Sequence, residues 1–365
     1  MSTAPAYSSG AASASRPRVL IVDDSAVVRG LVARWIEADT RLDVAATCPD
    51  GEQGVRKAGE LQPDLVVLDI EMPRMDGLTA LPLILRACPK ARVVMASTLT
   101  RKGAEVTMRA LSLGAADYAP KPEAGRVAGA ETYRDELLNK LVALCPRAKP
   151  AQRVAPVAPR PAAPRSAARH GLAARPDLIA IGSSTGGPQA LRSVVSQLPH
   201  DARAPVVIAQ HMPKLFTAIL AEHLTKAGLP AAEGKDGETL QPGRVYLAPG
   251  DFHMTVRKSA AGFTAHLDQS PAVNFCRPAV DPLFASCAEA AGRNLLAVVL
   301  TGMGHDGRDG ARKVRDVGGQ VIAQDEATSV VWGMPGAVAE AGLADEILPI
   351  SDIGGAIARR LKGAF

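Results

Sequence analysis

Apolar runs alternate with amphipathic patterns along the first 145 residues of the chain. Five runs predict short buried strands, and the stretches between them carry apolar residues at helical spacing. The predicted strands lie in RVLIVDD, LDVAATC, PDLVVLDIEM, ARVVMAST and ADYAPKP, and the predicted helices in AVVRGLVARWIEA, GEQGVRKAGEL, AEVTMRALSLG and ETYRDELLNKLVALC. Strands this apolar are typical of a parallel sheet with helices on both faces. The first half is therefore predicted to be a doubly wound α/β domain.

The same alternation returns after residue 176 and predicts a second, longer doubly wound α/β domain. Its predicted parallel strands are DLIAIG, PVVIAQ, NLLAVVL and GGQVIA, and its predicted helices are PQALRSVVSQL, KLFTAILAEHLTKAG, AVDPLFASCAEAAG and DGARKVRDVG. The stretch GRVYLAPGDFHMTVRKSAAGFTAHL has β alternation around glycine-rich turns. It predicts an antiparallel β-hairpin excursion from a mostly parallel sheet.

Residues 146–176 differ in composition from both halves. They hold seven prolines, many alanines and seven Lys or Arg but no acid. Such a segment buries no core and favours extended conformations, so we interpret it as a linker. It is either a plain spacer or a basic segment that docks a partner. The predicted organisation is a disordered tail at 1–15, a domain at 16–145, the linker at 146–176 and a domain at 177–365.

Charge, hydropathy and cysteine usage limit the function classes. The net charge is +5, and without the seven cations of the linker the rest of the chain is at −2, which disfavours nucleic-acid binding. No apolar run approaches the roughly 18 residues that span a bilayer. The five cysteines form no close pair and no CxxC, which favours reduced thiols over disulfides or zinc. We expect a cytoplasmic protein with no membrane insertion.

The strand ends of the first domain predict an acidic phosphate-handling site. In open α/β sheets ligands lie outside the carboxyl ends of the strands. Those ends carry Asp23, Asp24, Asp69, Ser97 or Thr98, and Lys121. Three carboxylates repel one another unless a cation shares them, and hard oxygen ligands suit Mg²⁺. A hydroxyl and an ammonium suit the oxygens of a phosphoryl group, so Asp69 is a candidate nucleophile that carries one.

The motifs LIVDDS, LDIEMPRMDGL, MAST and PKP resemble the receiver domain of two-component response regulators over residues 16–145. The resemblance implies a flavodoxin-like (βα)5 fold, with phosphate supplied by a histidine kinase. The resemblance implies that Asp69 is the phosphoacceptor and that Mg²⁺ is held by Asp24, Asp69 and the carbonyl of Glu71, with Asp23 assisting. It further implies that Ser97 is the switch hydroxyl, that Tyr118 is the rotating aromatic residue and that Lys121 contacts the phosphate.

Strand ends of the second domain predict a site for acyl transfer. DLIAIG leads to Ser183 and Ser184, PVVIAQ leads to His211, and LLAVVLTGMGHDG leads to Asp306. A hydroxyl, an imidazole and a carboxylate at one edge match a nucleophile, its general base and the group that orients the base. Backbone N–H groups of the glycine-rich loops are the expected oxyanion donors.

Other interpretations of these residues stay open on chemistry alone. GSSTG fits the nucleophile elbow of α/β-hydrolases, but that family runs Ser, acid, His along the chain. The loop is also compatible with a phosphate cradle or a plain turn, although it lacks the P-loop lysine. The competing bases are His253 and His305, and Asp309 competes with Asp306 as the acid. His223 is interpreted as a helix-face residue.

The second domain resembles the catalytic domain of the chemotaxis protein-glutamate methylesterase (CheB) family. The matching stretches are IGSSTGG, IAQHMP, PGRVYLAPGDFHM, VDPLFAS, LTGMGHDG and SVVWGMPGAV. The resemblance implies the triad Ser184, His211 and Asp306, with oxyanion donors at the backbone of Ser184, Thr185 and Met303. Many family members have Asn where this sequence has His305.

The resemblance also implies a function. It is the phosphorylation-activated hydrolysis of glutamate methyl esters on chemoreceptors, releasing methanol, with deamidation of receptor glutamines by the same chemistry. The expected partners are methyl-accepting chemotaxis receptors and a chemotaxis histidine kinase, with no cofactor in the esterase site. The alternative is a non-catalytic response regulator whose second domain only binds a receptor or another protein.

Overall fold

The computed structural model describes residues 16–98, 100–121, 128–145 and 175–363 of the chain. The predicted tail at 1–15 lies outside these residues, and so does the predicted linker except for its last two residues. No helix in the described ranges is long and apolar enough to cross a membrane.

The first domain is built on a five-stranded parallel sheet with the strand order β2-β1-β3-β4-β5. Its elements are β1 (Arg18–Val22), α1 (Ala26–Ala38), β2 (Asp43–Cys48), α2 (Gly51–Leu61), β3 (Leu65–Asp69), α3 (Gly77–Ala87), β4 (Arg92–Thr98), α4 (Arg101–Ser112), β5 (Asp117–Lys121) and α5 (Ala128–Leu144). Ser25, Asp50, Asp76 and Thr100 cap the first four helices, each accepting a backbone N–H of the first turn. The predicted doubly wound fold is confirmed, and the acidic strand ends lie at one edge.

The second domain is built on a seven-stranded parallel sheet with the order β14-β13-β12-β6-β7-β9-β8. Its elements are β6 (Leu178–Ser183), α6 (Gly187–Val195), β7 (Val206–Gln210), α7 (Lys214–Ala227), β8 (Ala231–Glu233), β9 (Val245–Leu247), β10 (His253–Ser259), β11 (Gly262–Asp268), α8 (Val280–Ala291), β12 (Leu295–Val299), α9 (Arg308–Asp316), β13 (Gln320–Gln324), α10 (Met334–Glu340), β14 (Glu346–Leu348) and α11 (Ile350–Leu361). β6 lies between β7 and β12, and all three are fully buried. The ends of these three central strands therefore meet at one edge.

The predicted antiparallel excursion is correct only in part. β10 and β11 form the expected antiparallel hairpin. Val245–Leu247, which the pattern assigned to the same excursion, instead pairs in parallel with β7 and with β8. Three residues are too short for periodicity to show which neighbour they join, so the sheet is wider than predicted.

The two domains share an apolar interface. Met108 and Leu111 of α4 belong to one continuous buried cluster with Leu220 and Leu224 of α7. The Tyr118 ring at the end of the first sheet stacks on Phe216 of α7, with ring centroids 4.6 Å apart. Burial of this apolar surface holds the first domain against the second.

Candidate active site

Ser184 follows the last residue of β6 and lies where β6, β7 and β12 end. Its backbone N–H donates to the carbonyl of Thr301 at 3.0 Å, and its carbonyl accepts the N–H of Gly187 at 2.8 Å. A Cβ on Gly302 would come within 2.9 Å of the Ser184 Cβ. The glycine after β12 therefore leaves space beside Ser184 that a larger residue would fill.

Ser183 points into the protein instead. It is fully buried, and its hydroxyl donates to Oε1 of Gln210, its pairing partner on β7, at 2.7 Å. Ser184 is only partly buried and its hydroxyl has no such partner in the described ranges. Of the two candidate serines, only Ser184 is placed to meet a substrate.

His211 and Asp306 form a direct pair. His211 follows β7 directly, and its imidazole Nε2 lies 2.7 Å from Oδ2 of Asp306. Asp306 lies on the loop between β12 and α9. The side chain of Asp306 is 2% exposed and that of His211 is 12% exposed. A carboxylate bonded to one ring nitrogen fixes the tautomer and leaves the other nitrogen, Nδ1, for proton transfer.

Backbone N–H groups at the start of α8 hold the Asp306 carboxylate. Val280 donates to Oδ2 at 2.6 Å and Asp281 donates to Oδ1 at 3.0 Å. The amide of Asn274 adds a third bond to Oδ1 at 3.0 Å. A helix N-terminus favours negative charge, so the ionised form of Asp306 is stabilised although it is buried.

These contacts move the pKa values of both partners. Burial alone would raise the pKa of Asp306, but the hydrogen bond and charge of His211, with the backbone N–H groups, lower it to about 2. Burial would lower the pKa of His211, yet the bonds to Asp306 and Cys276 outweigh burial and raise it to about 10. Both shifts favour the charged forms of the two side chains.

The thiol of Cys276 contacts the second ring nitrogen of His211. Its Sγ lies 3.3 Å from Nδ1. In the described part of the chain no hydrogen bond joins the hydroxyl of Ser184 to either ring nitrogen of His211. The structure thus brings His211 and Asp306 together and places Ser184 at the same strand edge, with no hydrogen bond between Ser184 and His211 in the described residues.

The three predicted oxyanion donors differ in their hydrogen-bond and packing partners. The N–H of Ser184 is taken by the carbonyl of Thr301, so in this arrangement it is not available to an oxyanion. Thr185 is buried, and its hydroxyl donates to Oδ2 of Asp117 in the first domain at 2.7 Å. Met303 packs against the cluster of buried side chains that contains the core of the first domain. Of these two residues, Thr185 is in direct contact with the first domain, through Asp117.

The competing residues have other surroundings. His253 is buried, its Nε2 lies 3.2 Å from the carbonyl of Pro271, and its Nδ1 accepts the N–H of Ala279. His305 is exposed, and Asp309 pairs with Arg308 at the surface. Neither histidine side chain is hydrogen-bonded to Asp306 or Ser184 in the described residues, whereas His211 is bonded to Asp306.

The acidic strand ends of the first domain also converge. Carboxylate oxygens of Asp23, Asp24 and Asp69 lie within 4.8 Å of one another. Lys121 bridges two of them, with Nζ 2.8 Å from Asp23 and 2.7 Å from Asp69. Burial raises the pKa of Asp69 to about 6, with Lys121 opposing the shift. Three hard oxygen donors at this spacing fit Mg²⁺.

The other expected residues of this site lie around it. Ser97 is buried and accepts the hydroxyl of Thr107 at 2.6 Å. Glu71 follows β3 with an exposed side chain, which suits a role through its carbonyl alone. Tyr118 is buried in the interface with Phe216 rather than exposed. Tyr118 thus joins β5, the strand that also carries Lys121, to the second domain.

Known proteins resemble the chain along nearly its whole length. The family model for the CheB methylesterase matches residues 179–357, and the model for the response regulator receiver domain matches residues 19–128. A protein-glutamate methylesterase/protein-glutamine glutaminase of Maricaulis maris is 60% identical, and the alignment covers 95% of this chain and 96% of that protein. The chain belongs to the CheB methylesterase family.

Further relatives agree with the CheB assignment. A second protein of the same name, from Caulobacter vibrioides, is 54% identical over 94% of this chain and 99% of its own. The crystal structure of the CheB methylesterase catalytic domain of Thermotoga maritima superposes with a TM-score of 0.50 and 44% identity, covering 50% of this chain and 98% of that one. Both halves of the chain thus have the predicted CheB architecture.

The sequence reasoning missed three residues of this CheB site. Cys276 contacts the base, while Asn274 and Asp281 hold Asp306 and its loop. Asn274 and Cys276 lie between β11 and α8, and Asp281 lies in the first turn of α8. None is at a strand end, so the rule that found the triad did not reach them. The available signal was the start of an amphipathic helix at VDPLFAS, whose N-terminus attracts a carboxylate.

Proposed function

We propose that this protein hydrolyses γ-glutamyl methyl esters on chemoreceptors, releasing methanol, and deamidates receptor glutamines at the same site. The observation that carries the proposal is the His211–Asp306 pair, 2.7 Å long and buried, at the strand edge where Ser184 stands. Family membership supplies the substrate class, since the relatives are named for both activities. The reaction is proposed to take place in the cytoplasm, where the enzyme can reach the signalling domains of the receptors.

The proposed reaction has two matching halves. His211 takes the hydroxyl proton of Ser184 at Nδ1 while the serine oxygen attacks the ester carbonyl. The tetrahedral intermediate collapses, the C–O bond to the methoxy group breaks, and methanol leaves with that proton. Water then attacks the acyl-serine by the same path and restores the glutamate. With a glutamine substrate the leaving group is ammonia.

The protonation state of His211 limits the rate in this mechanism. A charged imidazole has no lone pair for the proton of Ser184, and the bond to Asp306 holds the His211 pKa near 10. Activity therefore needs the fraction of His211 that is neutral, with Nδ1 turned from Cys276 to the serine. Since Asp306 stays ionised, its charge supports the imidazolium that forms during attack.

Asp69 is the proposed acceptor of a phosphoryl group from a histidine kinase. Asp23, Asp24, Asp69 and the carbonyl of Glu71 would hold Mg²⁺, which offsets the negative charge of the phosphoryl oxygens when it is bound. Lys121 is placed to contact a phosphoryl oxygen because it already bonds the Asp69 carboxylate. Ser97 supplies a hydroxyl from the neighbouring strand.

The interface supplies a physical link between the two sites. Asp117 and Tyr118, which open β5, contact Thr185 and Phe216, and Thr185 is next to the nucleophile. Rearrangement around a phosphorylated Asp69 changes the interactions of β5, so the phosphorylated domain binds the second domain less tightly. Release of Thr185 then opens the approach to Ser184.

Asp69→Asn is expected to abolish stimulation by a small phosphodonor while leaving the unstimulated rate unchanged. The amide accepts no phosphoryl group, so the packed arrangement persists. The measurement is methanol release from methylated receptor membranes with and without the phosphodonor. Demethylated membranes are the control for background. Equal stimulation of the intact protein and the variant would place the phosphorylation site elsewhere.

Gln189→Ala is expected to raise the unstimulated rate of methanol release by roughly 5- to 150-fold, the change in the balance between packed and released forms that about 1 to 3 kcal/mol produces. The Gln189 amide donates to the carbonyls of Leu111 and Ala115 across the interface, at 2.8 and 2.7 Å. Two such bonds contribute about 1 to 3 kcal/mol together, which shifts the balance toward release. Gln197→Ala is the matched control, because in the part of the chain that the structure describes that amide donates only to the carbonyl of Ser193 in its own domain. An unchanged rate in Gln189→Ala would show that these two interface hydrogen bonds do not restrain the unstimulated activity.

A further inference from the structure

A tight turn beside the catalytic pair presents a fully exposed aromatic ring. Residues 273–276 are closed by two backbone hydrogen bonds between Val273 and Cys276, at 3.1 and 2.9 Å. Phe275 at its tip is 103% exposed, more than any other large apolar side chain in the described ranges. A single exposed apolar side chain is ordinary, and what distinguishes Phe275 is that its whole ring is exposed one residue from Cys276, which contacts His211.

The backbone conformation of this turn is unfavourable for one of its residues. Asn274 and Phe275 both have positive φ, at 52° and 63°. Asn tolerates the left-handed region, but a bulky aromatic residue there is strained by about 1 to 2 kcal/mol. Folding alone would favour Gly or Asn at position 275. The aromatic side chain is thus kept against the local conformational preference.

The other two side chains of the turn fix its position relative to the catalytic groups. Asn274 donates to Asp306 at 3.0 Å and to Asp281 at 2.9 Å. Cys276 lies 3.3 Å from Nδ1 of His211. The residue between them cannot move far from the base or its carboxylate. Phe275 is a rigid anchor one residue from the group that touches the catalytic imidazole.

A second exposed apolar side chain follows His211 closely in the sequence. Leu215, four residues along the chain in the first turn of α7, is 43% exposed, and Lys214 beside it is also exposed. The segment just after His211 thus combines an exposed apolar side chain with a positive charge. That combination suits a protein segment with an apolar side chain close to a glutamate, rather than a small free ester.

We propose that Phe275 is a docking residue for the protein substrate, binding an apolar side chain that flanks the esterified glutamate. This inference rests on the proposed function and adds how that site selects its substrate. Binding to Phe275 lowers KM for receptor protein and leaves the chemical step at Ser184 unaltered. A small ester that lacks the flanking side chain gains nothing from Phe275.

The test is Phe275→Asn, compared with the intact protein on two substrates. Asn suits a positive φ, so the variant is expected to fold at least as stably. The substrates are methylated receptor membranes and the γ-methyl ester of N-acetyl-glutamate amide. KM for the membranes is expected to rise about tenfold with kcat unchanged, and kcat/KM for the small ester to stay within about twofold. Phe275→Trp is expected to restore the KM.

Two controls separate this inference from the proposed function. Ile347→Thr removes an exposed apolar side chain from the edge strand β14 and is expected to change neither KM. Ser184→Ala abolishes methanol release if the proposed function is right, whatever Phe275 does. An unchanged membrane KM in Phe275→Asn, or an equal loss on both substrates, overturns the docking role while the Ser184→Ala result stands.

Discussion

Ser184→Ala is expected to lower kcat for methanol release by a factor on the order of 10⁴ to 10⁶, the range found when a triad member is removed from Ser-His-Asp hydrolases. The variant keeps the fold, because the Ser184 backbone makes the structural bonds and its hydroxyl makes none in the described residues. KM for receptor membranes stays close to that of the intact protein. The measurement is the initial rate of methanol release at saturating membranes.

Ser183→Ala is the matched control for this loss. The hydroxyl removed there bonds Oε1 of Gln210 in the core, so the variant loses about 1 to 3 kcal/mol of stability. Its kcat is expected to remain within a few fold of the intact value. Similar losses of kcat in the two variants would mean that the loop, and not the Ser184 hydroxyl, is what activity requires.

Asp306→Asn is expected to lower the maximal rate about 10⁴-fold and to move the pH dependence. An amide at position 306 no longer fixes the His211 tautomer or balances the imidazolium. In the intact protein kcat/KM is expected to rise with pH, because the neutral base forms as pH approaches the His211 pKa of about 10.

The contacts that set the pKa of His211 determine the direction in which the pH dependence of Asp306→Asn shifts. The carboxylate of Asp306 holds the His211 pKa up against burial, so its removal leaves burial to lower the pKa. The rising limb of kcat/KM in Asp306→Asn therefore moves to lower pH although the plateau is far smaller. Rates of methanol release between pH 6 and 10 measure both effects. A variant with an unchanged midpoint would show that Asp306 does not control the imidazole.

Much of the site was predictable because parallel sheets bring distant residues together in a simple way. Ser184, His211 and Asp306 follow three strands that turned out to be neighbours, β6, β7 and β12. The rule needs only apolar runs and the residues after them. It could not separate Ser183 from Ser184, because that choice depends on which hydroxyl faces Gln210 across the sheet.

The parts that could not be predicted depend on non-local contacts. Cys276 and Asn274 lie on a turn before α8, and their partners His211 and Asp306 are 65 and 32 residues away. Neither periodicity nor composition specifies such contacts. The strand Val245–Leu247 was misplaced for a similar reason, since its pairing with β7 is decided by the sheet as a whole. The linker and tail remain predictions.

The most direct test of the account is to identify the nucleophile by covalent labelling. The intact protein, with its phosphodonor, is treated with a fluorophosphonate that reacts with activated serines, and the modified residue is located by peptide mass spectrometry. We predict a single label on Ser184, faster with the phosphodonor than without it, and loss of methanol release in proportion to labelling. A label on Ser183 or Cys276, or methanol release that persists in fully labelled protein, would contradict the account.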